Sequence, residues 1–335
     1  MPKYSVVLPV RNGGEYLKMC VMSILSQTLT DFNLEILDNH SADGTLEWLN
    51  SLNDKRIIIF PSDKPLSIEE NWNRIATIPK NEFMTFIGHD DLLDDNFLEV
   101  MECLINKHPE AGLYQAHYRY IDDVGNKIRS GKPMDEKQDV YEYLSFFLSG
   151  MSELSIGQVM RSEYFNKLGG FSDYPNLLYA DLELWISLIG KKYRACSYTE
   201  CSSKRIHESS ATSSSSPIKY YYAFLKLLNF FVELKKSDNR FSEIFQKYSM
   251  DFLKPYSKSI SHHLLRIRKK DREGILVKDF ISQYKNLIDA LIADNNFYPE
   301  NEFSIKMAKQ IDNSYILHKL FLIFKKLYSK PILHG

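Results

Sequence analysis

Across the first two hundred residues, short β-branched runs alternate with stretches of helical rhythm, the pattern left by successive βαβ units. Tyr4–Val10 (YSVVLPV) is a continuous apolar run followed by the turn pair Asn12-Gly13, and it predicts a strand. Tyr16–Ser26 then places Leu17, Cys20, Val21, Ile24 and Leu25 on one helical face. Phe32–Asp38 predicts a second strand, with a turn at Ser41-Ala42-Asp43-Gly44 and a helix around Thr45–Leu52 behind it. Arg56–Phe60 predicts a third strand and Ser67–Ile78 a helix. Glu82–Gly88 predicts a fourth strand that runs directly into His89-Asp90-Asp91. Leu113–Ile121 reads as a further strand, and Ala180–Ile189 as a helix. Open parallel sheets bind ligands beyond the carboxyl ends of their strands, so the polar residues at those ends are where chemistry is expected.

The pattern changes at Ser209–Ser216 (SSATSSSS), which has no core-forming residue and ends at Pro217. Beyond it everything reads helical, including Tyr220–Lys236, Ile275–Ala293 and Ser314–Tyr328. The expectation is an α/β domain over residues 1–212 and a smaller helical domain over 213–335. Charge divides near the same place. Residues 1–216 carry 21 Lys+Arg against 31 Asp+Glu and residues 217–335 carry 21 against 12, so −10 and +9 leave a net −1. The acidic front half argues against nucleic acid as a partner, because phosphate backbones are held by Lys and Arg. Cys20, Cys103, Cys196 and Cys201 form no CxxC pair and read as buried, reduced thiols. No charged and apolar leader precedes the first strand, and no stretch reaches the roughly 20 apolar residues of a spanning helix. A cytoplasmic protein is expected, lying at most on the inner face of the membrane.

Three acidic positions carry the candidate chemistry. Asp38 ends the second strand, where a carboxylate can accept from a nucleobase N–H or a ribose hydroxyl; the turn behind it also reads as a helix cap. Asp90 and Asp91 follow the fourth strand, with Asp94 and Asp95 close behind. Hard cations such as Mg²⁺ and Mn²⁺ take oxygen ligands, and clustered carboxylates repel one another until a cation relieves them. A solvated acidic turn leading to a helix from Asn96 is the other reading, and the better one for Asp94 and Asp95. Asp181 opens the helix Ala180–Ile189, either as a general base for an acceptor hydroxyl or as a polar position of an amphipathic helix.

Taken in order, these segments resemble the inverting family 2 glycosyltransferases of the GT-A fold, over about residues 4–210. Ser5–Asn12 resembles the family's S-V-I-I-P-x-Y-N strand, and Asn33–Thr45 its D-x-S-x-D-G-T turn. Glu82–Asp91 resembles G-E-Y-I-x-F-L-D-x-D-D, Gly169-Gly170-Phe171 the G-G-F segment, Asp181–Trp185 the E-D-x-x-L-W segment, and Arg205-Ile206-His207 the closing R-x-H. The resemblance implies a Rossmann-like, mostly parallel sheet flanked by helices, followed by the helical C-terminal region. It implies a nucleotide-sugar donor, UDP-linked by expectation, and a glycan or lipid-linked acceptor, as in bacterial surface polysaccharide assembly. Pro9, Val10, Arg11, Asp38, Asn73, Arg74 and Asp90 would line the nucleotide site. Asp91, with His89 and His207, would hold Mn²⁺ or Mg²⁺ on the diphosphate, and Asp181 would be the base. A lid built from the Ser-rich segment beside His207 would suit this arrangement.

Four positions depart from the family pattern. Arg11 replaces a Tyr beside the nucleobase, Gly88 the first Asp of the metal motif, Ala180 the Glu before the base, and Trp72 an Arg near the diphosphate. These departures leave room for a degenerate transferase that only binds. Nucleotidyl transfer on a similar fold would need a Gly-rich basic loop after the first strand, of which Arg11–Gly14 is a poor version. In the tail, Tyr220–Lys236 and Tyr315–Lys330 interleave aromatic and aliphatic residues with Lys, which suits a helix in an anionic membrane interface. A homo-oligomer contact, or plain packing, would look similar.

Overall fold

The computed structural model describes residues 2–150, 156–207 and 216–328. The Ser-rich run up to Ser215, the boundary expected at 212/213 and the lid expected beside His207 lie outside the described residues. The chain forms two compact units: Met1–Tyr143, Glu153–Asp173 and Ala180–Ser210 in one, and Leu144–Ser152, Tyr174–Tyr179 and Ala211–Gly335 in the other.

The first unit is built on a ten-stranded sheet. Its strands are β1 (Tyr4–Val10), β2 (Phe32–Asp38), β3 (Ile57–Ile59), β4 (Phe83–Phe86), β5 (Leu92–Leu93), β6 (Leu113–Ile121), β7 (Lys127–Ser130), β8 (Lys137–Gln138), β9 (Gln158–Arg161) and β10 (Arg194–Arg205). Their order is β3-β2-β1-β4-β9-β6-β10-β5, with β7 added to β6 and β8 to β10. The β3-β2-β1-β4 block is parallel, as is β6-β10, while β9 and β5 join antiparallel. All seven positions of β1 are buried, which is why it reads as an unbroken apolar run and not as an alternation. Helix α1 (Gly14–Leu25) buries Leu17, Cys20, Val21 and Ile24, the face expected of it. Helices α2 (Thr45–Ser51), α3 (Ile68–Asn73) and α4 (Phe97–Lys107) follow in turn. The third helix is shorter than its periodicity suggests: Ser67 and Glu70 form a capping box at its start, and Arg74–Ala76 tightens into a 3₁₀ turn. All four cysteines are free, but Cys103 is exposed, because α4 turns Met101 and Leu104 inward and leaves position 103 on its outer side. Helices α5 (Val140–Leu148), α6 (Ser162–Lys167) and α7 (Ala180–Ile189) complete the segment before β10.

The second unit holds five helices among the described residues: α8 (Pro217–Ser237), α9 (Asn239–Leu265), α10 (Val277–Leu291), α11 (Phe303–Asn313) and α12 (Tyr315–Tyr328). Ser216 and Asp238 cap α8 and α9, and Pro217 sits at the first helical position, where its missing N–H costs nothing. Of the readings open for Tyr220–Lys236, the burial of its aromatic run fits plain packing. Tyr221, Phe224, Leu227, Leu228 and Phe231 are buried, and the Phe224 ring stacks on Tyr256 at 4.7 Å. One buried ionic group braces the far end of this unit: Arg272 pairs with Asp312 at 2.5 Å, and its other terminal nitrogen lies 2.5 Å from His318 Nε2. Among the described residues, no helix is long and apolar enough to cross a membrane.

Candidate active site

The carboxyl ends of β2, β1 and β4 lie side by side. Val10 is in register with Asp38, Val7 with Phe86, and the Ile87 N–H donates to the Val7 carbonyl at 3.0 Å. Side chains that leave these three strands therefore share one edge of the sheet.

At the β2 end, Asp38 is buried. Its Oδ2 accepts the Ser41 N–H at 3.2 Å, while Oδ1 has no hydrogen-bond partner among the described residues. A buried carboxylate oxygen without a donor is costly, and a ligand N–H or hydroxyl would satisfy it. Pro9 and Val10 are buried beside it in β1, and Arg11 is exposed just past the strand. Two loops around this pocket are stitched together. The N–H groups of Asn12, Gly13 and Gly14 donate to Ser41 Oγ (2.9 Å), Thr45 Oγ1 (3.1 Å) and Asp43 Oδ2 (3.3 Å). Ser41, Asp43 and Thr45 thus act as structural clamps. Arg74 is likewise engaged: its guanidinium donates to the carbonyls of Asp38, Phe60 and Pro61 and to Asn71 Oδ1. It fastens the strand ends around the pocket. Asn73, half-buried, ends α3 beside it.

At the β4 end, the absent side chain of Gly88 explains its place in the sequence. A β-carbon there would stand 2.7 Å from Asp90 Oδ1 and 3.6 Å from Asp91 Oδ2. The two carboxylate oxygens thus face a common point that an Asp at 88 would fill. That geometry fits a hard divalent cation bound through two protein carboxylates, with diphosphate oxygens and water supplying the rest, as Mg²⁺ sites commonly are. Among the described residues, no group of three His, Cys, Asp or Glu side chains is arranged to hold an ion unaided. His207, the third expected metal ligand, places its Nε2 2.8 Å from Asp90 Oδ2. His89 is half-buried next to Asp90, and burial lowers its pKa despite the Asp90 charge.

The end of β10 binds this loop. The Arg205 N–H donates to Asp91 Oδ1 at 2.9 Å, and its guanidinium to the carbonyls of Asp90 (2.8 Å), Asp122 and Asp123 (both 2.9 Å). The Tyr16 ring lies under both Arg205, at 4.6 Å, and His207, at 5.2 Å between ring centres. Burial pushes Asp91 up to about 7; the Lys204 ammonium pulls the other way, and the Asp90 charge adds to the rise. Burial also acts on Asp90, but His207, His89 and Lys204 outweigh it and hold that carboxyl below the usual range.

Asp181 begins α7, and its Oδ1 accepts the N–H of Leu182 at 2.9 Å. Burial raises its pKa, with the Leu182 N–H and the Lys204 charge acting against the rise. An aromatic cluster seats the helix. The Trp185 ring stacks on Phe86 at 5.5 Å, and Phe171 and Trp72 meet Phe86 edge-on at 5.0 and 5.7 Å. The Gly-Gly-Phe and Leu-Trp segments are therefore one packing unit, joined to the β4 strand that leads to Asp90. Trp72, one of the departures from the family pattern, is part of that unit. Gly170, at φ 89°, makes the turn that brings Phe171 in.

Sequence reasoning missed Lys204. The antiparallel register of Ser203 with Leu92 sets Lys204 across from Asp91. Burial works against its charge, but Asp91, Asp90 and Asp181 outweigh that and hold the ammonium above its usual range. One cation thus faces the two candidate metal carboxylates and the candidate base together. Asp94, by contrast, is held by both terminal nitrogens of Arg119, which fits its structural reading.

Residues 5–169 match the "Glycosyl transferase family 2" model. Poly(ribitol-phosphate) β-N-acetylglucosaminyltransferase TarP of Staphylococcus aureus is 36% identical over 150 residues, which cover 39% of this chain and 44% of TarP. Three further relatives named as glycosyltransferases, from Streptococcus pneumoniae, Methanocaldococcus jannaschii and Haemophilus influenzae, are each 26% identical and are covered over 41%, 67% and 52% of their own lengths, so this chain spans only part of them. Among solved structures, S. aureus TarS 1-349 in complex with UDP-GlcNAc aligns over 98% of this chain and 93% of that one, with a TM-score of 0.62 at 14% identity. The mannosyltransferase PcManGT from Pyrobaculum calidifontis, in complex with GDP-Man and Mn²⁺, aligns over 97% and 88% with a TM-score of 0.51 at 12% identity. With the strand-end carboxylates and the matched segment in agreement, the chain belongs to glycosyltransferase family 2, on a GT-A fold.

Proposed function

We propose that this protein transfers a sugar from a UDP-linked donor to a hydroxyl of a glycan or lipid-linked acceptor, inverting the anomeric carbon. The observation that carries the reading is the convergence of Asp90, Asp91 and Asp181 on Lys204 at the sheet edge that also holds Asp38. Asp38 Oδ1, buried and without a donor among the described residues, suits a uracil N–H, and UDP-GlcNAc in the TarS complex supports a uridine donor. Asp90 and Asp91 would hold Mn²⁺ or Mg²⁺, in keeping with the Mn²⁺ of the PcManGT complex. Such an ion lends Lewis-acid stabilisation to a departing diphosphate.

Asp181, its basicity raised by burial, takes the proton of the acceptor hydroxyl. The acceptor oxygen forms its bond to the anomeric carbon as the bond from that carbon to the diphosphate oxygen breaks on the opposite face. UDP leaves with the electron pair, and the configuration inverts. The name of TarP, a transferase acting on poly(ribitol-phosphate), supports a bacterial surface polymer as the acceptor class. Nucleotidyl transfer is disfavoured because the N–H groups of Asn12, Gly13 and Gly14, which would have to cradle a triphosphate, are already bonded to Ser41, Thr45 and Asp43.

The test is Asp181→Asn, assayed for UDP-sugar turnover with Mn²⁺ and for UDP affinity. Turnover should vanish while UDP affinity stays within about threefold, as expected for a group that acts only in the transition state. Equal loss of UDP binding would remove Asp181 from its assigned role. Absence of turnover by the unmodified chain across a panel of nucleotide sugars would favour the degenerate, binding-only reading.

A further inference from the structure

Helix α12 is amphipathic with its apolar side facing outward. Ile316, Leu320, Ile323, Phe324 and Leu327 share one face at helical spacing, and each is between 49% and 69% exposed. The residue buried from this helix is His318, which meets the Arg272–Asp312 pair. A surface helix normally turns its apolar stripe to the core, so this one presents a face that needs another apolar medium. Helix α11 adds exposed Phe303 and Met307, with exposed Lys306 between them.

Charge selects the occupant. Tyr315–Tyr328 contains Lys319, Lys325 and Lys326 and no Asp or Glu, and residues 217–335 carry the +9 excess. A two-fold contact would bring this patch against a second copy of itself, two basic helices with no acid on either to offset them. An anionic bilayer satisfies both features, taking the apolar face at the acyl boundary and the ammonium groups at its headgroups. We propose that α12 docks the helical unit on an anionic lipid surface. This goes beyond the transfer reaction and does not depend on it.

The experiment is cosedimentation of the full chain with extruded vesicles of phosphatidylcholine alone, or with about 30% phosphatidylglycerol to give a negative surface potential. The expected result is binding to the anionic vesicles that weakens with added salt and is at least about tenfold weaker on neutral ones. The double variant L320E/F324E changes exposed positions only, and its circular dichroism should match the parent chain. It should lose at least about tenfold in vesicle binding, while UDP affinity without vesicles is unchanged. No binding of the parent chain, or equal binding by the variant, overturns the proposal. So does a dimer in gel filtration that L320E/F324E splits, since the face would then be covered by a second copy. UDP affinity is read separately, so a failure of the donor reading leaves this result interpretable.

Discussion

The imidazole of His207 lies 2.8 Å from Oδ2 of Asp90, across 117 residues of sequence. If it orients that carboxylate, whose other oxygen faces the point above Gly88, its loss should be felt at the metal. Partners that orient a ligand group typically set metal affinity by ten- to a hundredfold. His207→Ala should therefore weaken Mn²⁺-dependent UDP binding by roughly tenfold, with little change in UDP binding measured in chelator. Calorimetric titration of UDP with and without Mn²⁺ checks this. An equal loss under both conditions would point to direct contact with the nucleotide.

Lys204 offsets three carboxylates at once, and its removal should be felt most by those that burial already pushes up. In Lys204→Met, both Asp91 and Asp181 should hold their protons to higher pH. A base must be ionised to act, so the acid limb of kcat/KM against pH should move upward. Activity should fall more at pH 6.5 than at pH 8.5, and Lys204→Arg should restore much of the profile. A uniform loss across pH would mean that Lys204 only supports the fold.

Glu35 offers a pH test away from the site. It is buried in β2, with Oε1 accepting the Ser5 hydroxyl at 2.8 Å and Oε2 unpartnered among the described residues. Burial lifts its pKa to about 7, against the Ser5 bond and the Lys80 charge, from an ordinary value of 4.5. The folded state therefore holds a proton that the unfolded chain releases between those values. That contribution to stability is complete below about 4.5 and is lost as pH rises through about 7. Glu35→Gln keeps an acceptor for Ser5 and removes the titration. Its melting temperature should vary less than the parent's between about pH 5 and 8, with the gain at the upper end. If both melt alike at each pH, Glu35 is ionised in the fold.

The parts of this fold that the sequence announces are those where burial alone decides. β1 reads as a continuous apolar run because both of its faces are covered, β2 is buried at every position but Asn33, and Asp38, Asp90, Asp91 and Asp181 stand out as acids where strands end or helices begin. Elements that serve a charged site are harder to read. β10 carries Arg194, Glu200, Lys204 and Arg205, and its register slips between Ser197 and Ser202, so it shows no alternation. Lys204 went unnoticed for that reason, although the Arg-Ile-His motif begins at the next residue. The helical character of residues 239–265 is legible, but the bounds of α9 are not: Pro255 lies inside it, and the serines at 249, 257 and 261 are buried in a helical stripe where apolar residues are usual. Arg74 could be placed near the nucleotide site, but nothing in sequence shows that its donors are spent on the carbonyls of Asp38, Phe60 and Pro61.

Gly88 gives the sharpest test of the metal cradle, because the family pattern and the geometry predict opposite results. By motif, Gly88→Asp restores a missing carboxylate and should tighten metal binding. By geometry, any β-carbon at 88 comes within 2.7 Å of Asp90 Oδ1, closer than non-bonded atoms approach, so Asp90 must turn away. Asp90 is not free to do so cheaply: His207 holds its other oxygen, and the Arg205 guanidinium holds its carbonyl. Gly88→Ala, which adds the β-carbon and no ligand, should already weaken Mn²⁺-dependent UDP binding, by about tenfold if one oriented carboxylate is lost. Gly88→Asp should do no better than Gly88→Ala. Tighter Mn²⁺ binding by Gly88→Asp would show that Asp90 can move at little cost, and the cradle formed by Asp90 and Asp91 would lose its basis.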